Sequence, residues 1–282
     1  MNRPGGETGD EARDATFQLA LDHVLVEGAP GTPPATLRFW RVSDSVVVGR
    51  SQVLEAEVNA RFCRREGVVV CRRTSGGGAV FLDPGCLVAS WVVSRNWLPR
   101  GASVAELMEF FTDAVVESLK RAGVKRAARG GRSSAFVGGR KVSGAAGYHR
   151  AGRVLHHVTL LHRANLERLE AALLAREPLP SSPRASRYSP TTNLRELDVD
   201  AWKKALASVL SETLGVEWVA GRLTDAELDR ARSLAVRLFR SKRWTVEGRW
   251  PPGLRGGQAQ RMSKSTDSAG SNPVNDGASK PA

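Results

Sequence analysis

Apolar residues recur every three to four positions through ATFQLALDHVLVEG, residues 15–28, and this spacing predicts a helix that stops at Gly28. After the loop APGTPPA the rhythm changes to short β-branched runs. TLRFWRV and SVVVGRSQ read as two strands joined by a short polar turn at Ser43 and Asp44. EAEVNARFCRREG reads as a short helix closed by Gly67, VVVCRR as a strand, and CLVASWVVS as another strand beyond an Asp-Pro-Gly turn. VAELMEFFTDAVVESLKRAG again has helical period. Gly138-Gly139 and Ala151-Gly152 then cut SSAFVGGRKVSGAAGYHRAGRVLHHVTLLHR into three antiparallel strands.

ANLERLEAALLARE predicts a helix with Asn165 as its N-cap, and PLPSSPRASRYSPTT a long loop. DVDAWKKALASVLSETLG and TDAELDRARSLAVRLFRS predict two further helices, and KRWTVEG closes the folded part. Strands joined by tight turns, with helices between the groups, imply an α+β domain with a mixed, mainly antiparallel sheet rather than a βαβ array. Residues 1–14 read as a polar extension and 15–250 as the folded domain. Residues 251–282 hold Gly, Ser, Pro, Asn and Lys with almost nothing apolar, and are expected to be disordered.

The net charge of +13 favours an acidic partner: nucleic acid, phosphates or an acidic protein. A nucleic-acid binder would interleave basic and aromatic residues on one face. Only 6% of residues are aromatic and they follow the core pattern, so that class is set aside. The three cysteines, Cys63, Cys71 and Cys86, lack CxxC spacing, which argues against a disulfide framework or zinc site and for a reducing compartment. The polar start carries no signal-peptide core, and no apolar run approaches the roughly 20 residues of a membrane span. A cytoplasmic protein is expected.

RRTSGGGAVFLDPG, residues 72–85, removes three side chains from one spot beside two arginines. Strand alternation puts Arg73 on the face of Cys71 and Val69, with Arg72 on the other. Gly76, Gly77 and Gly78 permit close backbone approach, and their amides can converge on an anion, although a plain glycine hairpin would look the same. The run is neither GxxxxGK[ST] nor GxGxxG. In GGRKVSGAAG, Lys141 and Ser143 share a strand face among small residues, where an ammonium could stabilise charge on a ligand's phosphate and carbonyl oxygens. His156 and His157 alternate, so at most one faces a site, and no carboxylate cluster completes a metal site.

Together, RRTSGGGAVFLDPG and GRKVSGAAGYHRAGRVLHHVTLL resemble the catalytic domain of lipoate–protein ligases, a relative of biotin–protein ligases with a class II synthetase-like fold. LRFWRVSDSVVVGRSQ, YSPTTNL and LFRSKRWTVEG extend the likeness from about residue 15 to 248. The resemblance implies that the carboxylate of lipoate or octanoate attacks the α-phosphate of ATP, giving an acyl-adenylate. A lysine of a lipoyl domain then takes the acyl group; acceptors of this kind are 2-oxoacid dehydrogenase E2 subunits and the glycine cleavage H protein. It implies phosphate binding by Arg73 and a nucleotide and acyl wrap by Ser75, Gly76, Gly77, Gly78, Ala79, Val80 and Phe81, with Asp83 in the following turn. Lys141 would touch both phosphate and carbonyl as the catalytic lysine, Ala145 would line the site, and His157 is a further candidate. Mg²⁺ is expected with ATP, and its ligands are not evident. Lipoyl domains are often acidic, which suits the basic balance.

The chain departs from that pattern where it carries Ser133-Ser134 in place of Asn-Asp, Leu82 in place of His, and Cys86 and Val88 in place of Asn or Asp. Many such ligases carry an extra C-terminal domain; here the folded part is expected to stop near Gly248 with only a polar tail after it, so a separate accessory chain is an expected partner. These departures leave open an acyltransferase that accepts a pre-activated octanoyl or lipoyl group without adenylation, or a relative that only binds. A transferase cysteine just before the lysine hairpin is missing, and Cys86 suits a small buried hydrophobe.

Overall fold

The computed structural model describes residues 9–29, 32–174 and 185–254. The tail expected to be disordered lies, beyond Leu254, outside the described residues. Helix α1 (Ala15–Glu27) starts at Asp14, whose carboxylate accepts the amide of Thr16, and every residue from Ala15 to Val26 is buried. Residues of the polar extension fold back onto the domain, where Glu11 pairs with Arg232 at 2.7 Å.

Strands β1 (Ala35–Trp40) and β2 (Ser45–Val48) follow, then two single-turn helices, α2 (Leu54–Glu57) and α3 (Ala60–Arg65). Strands β3 (Val69–Arg72), β4 (Val80–Leu82) and β5 (Cys86–Ser94) lead to helix α4 (Val104–Arg121), which Ser103 and Glu106 close as a capping box. The meander β6 (Ala127–Arg129), β7 (Ser134–Val137), β8 (Arg140–Arg150) and β9 (Arg153–Leu161) comes next. Helices α5 (Leu166–Ala172), α6 (Val199–Leu214) and α7 (Asp225–Leu234) then precede a π-turn over Ala235–Phe239 and the short α8 (Lys242–Thr245).

The main sheet has the order β1-β5-β9-β8-β7-β6 with every pair antiparallel. The β7–β8 and β8–β9 hairpins turn through two residues of positive φ, Gly138-Gly139 and Ala151-Gly152, as the right-handed strand twist requires. A smaller sheet, β3-β2-β4, has one parallel pair, β2 with β3.

Two sequence expectations change here. The strands predicted to flank Ser43 and Asp44 lie in different sheets, so no hairpin forms. The predicted helix over 55–67 is instead two turns, α2 and α3, broken at Val58, whose extended backbone bridges to Leu173. That insertion makes β2–α2–α3–β3 the crossover that a parallel pair needs.

Alternation along β5 feeds two cores at once. Val88 and Val92 pack toward α1, α7 and the π-turn, while Leu87, Ala89, Trp91 and Val93 pack toward α4 and α6. In β9, Leu155 and Leu161 share the α1 face, and Val154, Val158 and Leu160 the opposite one. By the same alternation His157 and Thr159 fall on the α1 side, where the small sheet leans against the large one and a cleft opens.

Candidate active site

Arg72 and Arg73 take the opposite directions that alternation demands. Arg72 points away from the cleft and is 1% exposed. Its guanidinium donates to the carbonyls of Gly49 (2.9 Å) and Gln52 (2.8 Å) and, at the chain's far end, to those of Trp244 (2.9 Å) and Thr245 (2.9 Å). Trp244 Nε1 returns a bond to the Arg72 carbonyl at 2.8 Å. Arg72 therefore ties α8 to the small sheet.

Arg73 borders the cleft, yet its donors turn inward. Nη2 reaches the carbonyls of Gly76 (2.5 Å) and Gly78 (2.8 Å), Nη1 that of Val47 (3.1 Å), and Nε the hydroxyl of Ser75 (3.0 Å). Burial pushes its pKa down to about 10. In this geometry Arg73 holds the loop carbonyls in place, and its positive charge lies at the cleft wall.

The three glycines differ in what constrains them. Gly77 has φ +84°, which only glycine adopts cheaply. A Cβ on Gly78 would meet Ser186 Oγ at 2.8 Å, whereas one on Gly76 would meet nothing. Ser186 Oγ also accepts the amide of Ala79 (2.9 Å) and the side-chain amide of Gln52 (3.1 Å), whose carbonyl oxygen in turn accepts the amide of Gly49 at 2.7 Å. The segment from Ala185 onward is thereby laced across the glycine loop, and the buried Glu57 accepts the amide of Ser186 at 3.0 Å.

Behind the loop runs a buried polar chain. Ser75 Oγ lies 2.7 Å from His157 Nε2, and His157 Nδ1 lies 3.4 Å from Asp22 Oδ2. Asp22 also accepts from Ser90 Oγ (2.9 Å) and Arg38 (2.7 Å). Burial pushes the Asp22 carboxyl up, but the His157 hydrogen bond and the Arg38 guanidinium outweigh it and hold the group below its ordinary range. Asp22 is the buried acid that α1 tolerates because these partners surround it.

Lys141 is the second residue of β8, where the register with β7 shifts beside Phe136. Its amide donates to the Pro190 carbonyl (2.8 Å) and its carbonyl accepts the Thr192 amide (3.0 Å), so YSPTT runs as a strap along the lysine. A Cβ on Gly144 would lie 3.1 Å from Lys141 Cε and 3.2 Å from Nζ. The lysine therefore lies over a bare backbone. Burial first, and the charge of Arg73 second, lower its pKa.

Two adjoining cavities share Lys141, Gly144, Ala79, Val80 and Thr159 in their walls. The wider, about 500 Å³, is bounded by the glycine loop on one side and by residues 130–134 on the other, with Ala145, Ala146 and His157 between. The narrower, about 120 Å³, is lined by Val80, Phe81, Leu161, Leu169 and Leu173. Of the residues singled out in the sequence, Arg73, Gly77, Gly78, Ala79, Val80, Lys141, Ala145 and His157 meet at the wide cavity and Phe81 at the narrow one. Ser75 is buried behind the wall, and Gly76 is exposed and borders neither cavity. Asp83 is a turn residue: its carboxylate accepts the amides of Gly85 (2.9 Å), Cys86 (3.0 Å) and Asn165 (2.6 Å).

The model of the lipoyl protein ligase A/B catalytic domain matches residues 14–211. The chain belongs to that family. The lipoate-protein ligase A subunit 1 of Thermoplasma acidophilum is 29% identical over 82% of this chain and 91% of its own length. Within the family, the solved bipartite lipoate protein ligase of T. acidophilum, studied with its E2 lipoyl domain, superposes with a TM-score of 0.73 at 26% identity, covering 86% of this chain and 96% of that one. A lipoate-protein ligase A bound with ATP gives 0.69 at 26% identity, covering 83% and 94%. The family's α+β fold, with its mainly antiparallel sheet, is thus the fold of this chain.

Sequence reasoning missed Gln52, Glu57, Ser186 and Asp22, which shape the loop from behind, and Arg132 and Arg187, which border the wide cavity. Gln52 and Glu57 meet Ser186, and Asp22 meets His157, from distant parts of the chain, and no local pattern announces these pairings. The one available signal was Asp22, an acid inside an apolar helical stripe.

Proposed function

We propose that the chain activates lipoate or octanoate with ATP and passes the acyl group to a lysine of a lipoyl domain. The observation that carries this reading is the position of Lys141 at the junction of a wide polar cavity and a narrow apolar one. An acyl chain seated among Val80, Phe81, Leu161, Leu169 and Leu173 brings its carboxylate to that junction. Burying about seven methylenes there contributes roughly 5–6 kcal/mol, enough to select medium chains. The carboxylate oxygen attacks the α-phosphorus, the bond to the bridging oxygen breaks, and pyrophosphate leaves. The acceptor amine then attacks the acyl carbonyl and AMP departs, with the amine's proton lost to solvent. Lys141, desolvated and facing Arg73, gains most from an anion beside it, which favours its bonding to the phosphate and carbonyl oxygens of the mixed anhydride.

An acyltransferase acting through a cysteine finds no support in the site. Cys63, Cys71 and Cys86 are all buried and border neither cavity, and burial pushes the Cys71 thiol up to about 12. The names of the archaeal relative, a subunit 1 and a bipartite ligase studied with its E2 lipoyl domain, support an accessory chain and a lipoyl-domain acceptor here as well. No helix among the described residues is long and apolar enough to cross a membrane.

The test is mass spectrometry of the protein incubated with ATP, Mg²⁺ and lipoate, with and without a candidate accessory chain. Lipoyl-AMP is expected from the wild type and not from Lys141→Ala. Acyl transfer from a synthetic adenylate with no adenylate formed from ATP would refute the activation step.

A further inference from the structure

The wide cavity is strongly one-sided in charge. Among the described residues Arg73, Arg132, Lys141 and Arg187 border it, and no aspartate or glutamate does. The acidic groups near its outer loop are already paired: Glu109 with Arg129 (3.0 Å) and Arg132 (3.3 Å), and Asp113 with Arg129 (2.7 Å). Among the described residues no group of three His, Cys, Asp or Glu is placed to hold a metal ion. Mg²⁺ takes oxygen ligands and in protein sites leans on one or two carboxylates. The groups offered here are cationic N–H groups, the His157 imidazole, hydroxyls and a backbone, with no carboxylate among the described residues, so this wall does not fit a protein-held Mg²⁺.

The loop at the outer end carries a different device. Its backbone is fixed by three bonds: Gly130 amide to Ser134 carbonyl (2.8 Å), Ala145 amide to Ser133 carbonyl (2.7 Å), and Thr112 Oγ1 to Arg132 carbonyl (2.9 Å). From this rigid base the Arg132 side chain, 69% exposed, stands at the cavity mouth, with its Nε turned to Glu109. Ser133 and Ser134 beside it add hydroxyls and no negative charge. Arg132 borders the wide cavity and not the acyl chamber. An α-phosphate at Lys141 by the chamber leaves the rest of the wide cavity, out to Arg132, for the remaining phosphates.

Building on the activation reading, we infer that the terminal phosphates of the nucleotide are taken by Arg132 and the 130–134 loop, and that the protein itself holds no metal ion in this cavity. A planar guanidinium grips two phosphate oxygens at once, supplying the charge balance that a carboxylate-bound metal supplies elsewhere. Any Mg²⁺ then enters as part of the nucleotide complex.

The experiment is calorimetric titration of the full chain with ATP and with AMP, in Mg²⁺ and in EDTA at equal ionic strength, for wild type and Arg132→Ala. Wild-type affinity for ATP is expected to differ by less than about tenfold between Mg²⁺ and EDTA. Arg132→Ala is expected to weaken ATP by about 10- to 100-fold, the loss of a charged bidentate contact, while AMP changes by less than about twofold. A separate arm follows the Mn²⁺ electron-spin signal: protein alone should leave it unchanged. A difference of tenfold or more between Mg²⁺ and EDTA, quenching of Mn²⁺ by protein alone, or equal loss of AMP and ATP in Arg132→Ala would each overturn the inference. Binding of neither nucleotide by wild type would instead bring down the activation reading, and this inference with it.

Discussion

A substitution at Gly49 tests the shape of the glycine loop while every residue of the loop stays the same. The residue follows β2, its φ is not positive, and alanine there carries no backbone strain. A Cβ would nevertheless stand 2.0 Å from the Gly77 carbonyl oxygen. Real Cβ atoms do not approach closer than 3.0 Å, so that carbonyl must retreat by about 1.0 Å or more. Retreat works against the bonds from Arg73 to the Gly76 and Gly78 carbonyls and the bond from the Gly49 amide to Gln52.

Overpacking of this kind costs about 1–3 kcal/mol. That corresponds to a Tm lower by about 3–10 °C at this chain length. A displacement of about 1 Å in a positioning element costs about 100-fold in rate. Gly49→Ala should therefore slow adenylate formation, measured by single turnover at saturating ATP and lipoate, far more than it harms folding, measured by thermal melting. Gly76→Ala is the control for stability, since its Cβ meets no atom of the chain and its melting should match wild type within about 0.5 kcal/mol. If Gly49→Ala turned over at the wild-type rate, the loop carbonyls would not be what sets the site.

Arg72→Met leaves the buried carbonyls of Gly49, Gln52, Trp244 and Thr245 without their donor, and is expected to cost about 3–5 kcal/mol in chemical denaturation, with α8 the first segment to gain hydrogen exchange. His156 stacks on Trp91 at 4.7 Å, fully buried, and burial lowers its pKa to about 3. The unfolded chain takes up a proton below about 6.5 that the folded chain refuses, so stability falls as pH drops from 6.5 toward 3, by about 2 kcal/mol between pH 6.5 and 5. His156→Phe should flatten that stretch of the profile measured by urea melts; an unchanged slope would remove His156 as its cause. Lys141→Met removes a desolvated cation, so its Tm at pH 7 should equal or exceed that of wild type, and any gain should shrink as pH rises and the wild-type amine deprotonates.

Local signals carried much of the architecture. Asn165 marks the start of α5, and the Gly138-Gly139 and Ala151-Gly152 pairs mark both hairpins of the β7–β9 meander; all are local chemistry written in neighbouring residues. The alternation that separated Arg72 from Arg73, and His156 from His157, also holds. What stayed hidden depends on distant pairing. Nothing near Ser43 shows that β1 and β2 join different sheets, and nothing near Gln52 announces Ser186, 134 positions away. The loop's polarity was hidden for a subtler reason: glycine amides and carbonyls are equally available in sequence, and it is Arg73, bonded to the carbonyls, that decides which way the loop presents them.

The most direct measurement is a crystal structure with a non-hydrolysable acyl-adenylate bound. The account places the acyl tail among Val80, Phe81, Leu161, Leu169 and Leu173, with Lys141 Nζ within hydrogen-bond distance of both the phosphate and the carbonyl oxygen. A tail lodged outside that chamber, or a Lys141 amine turned to solvent, would contradict it.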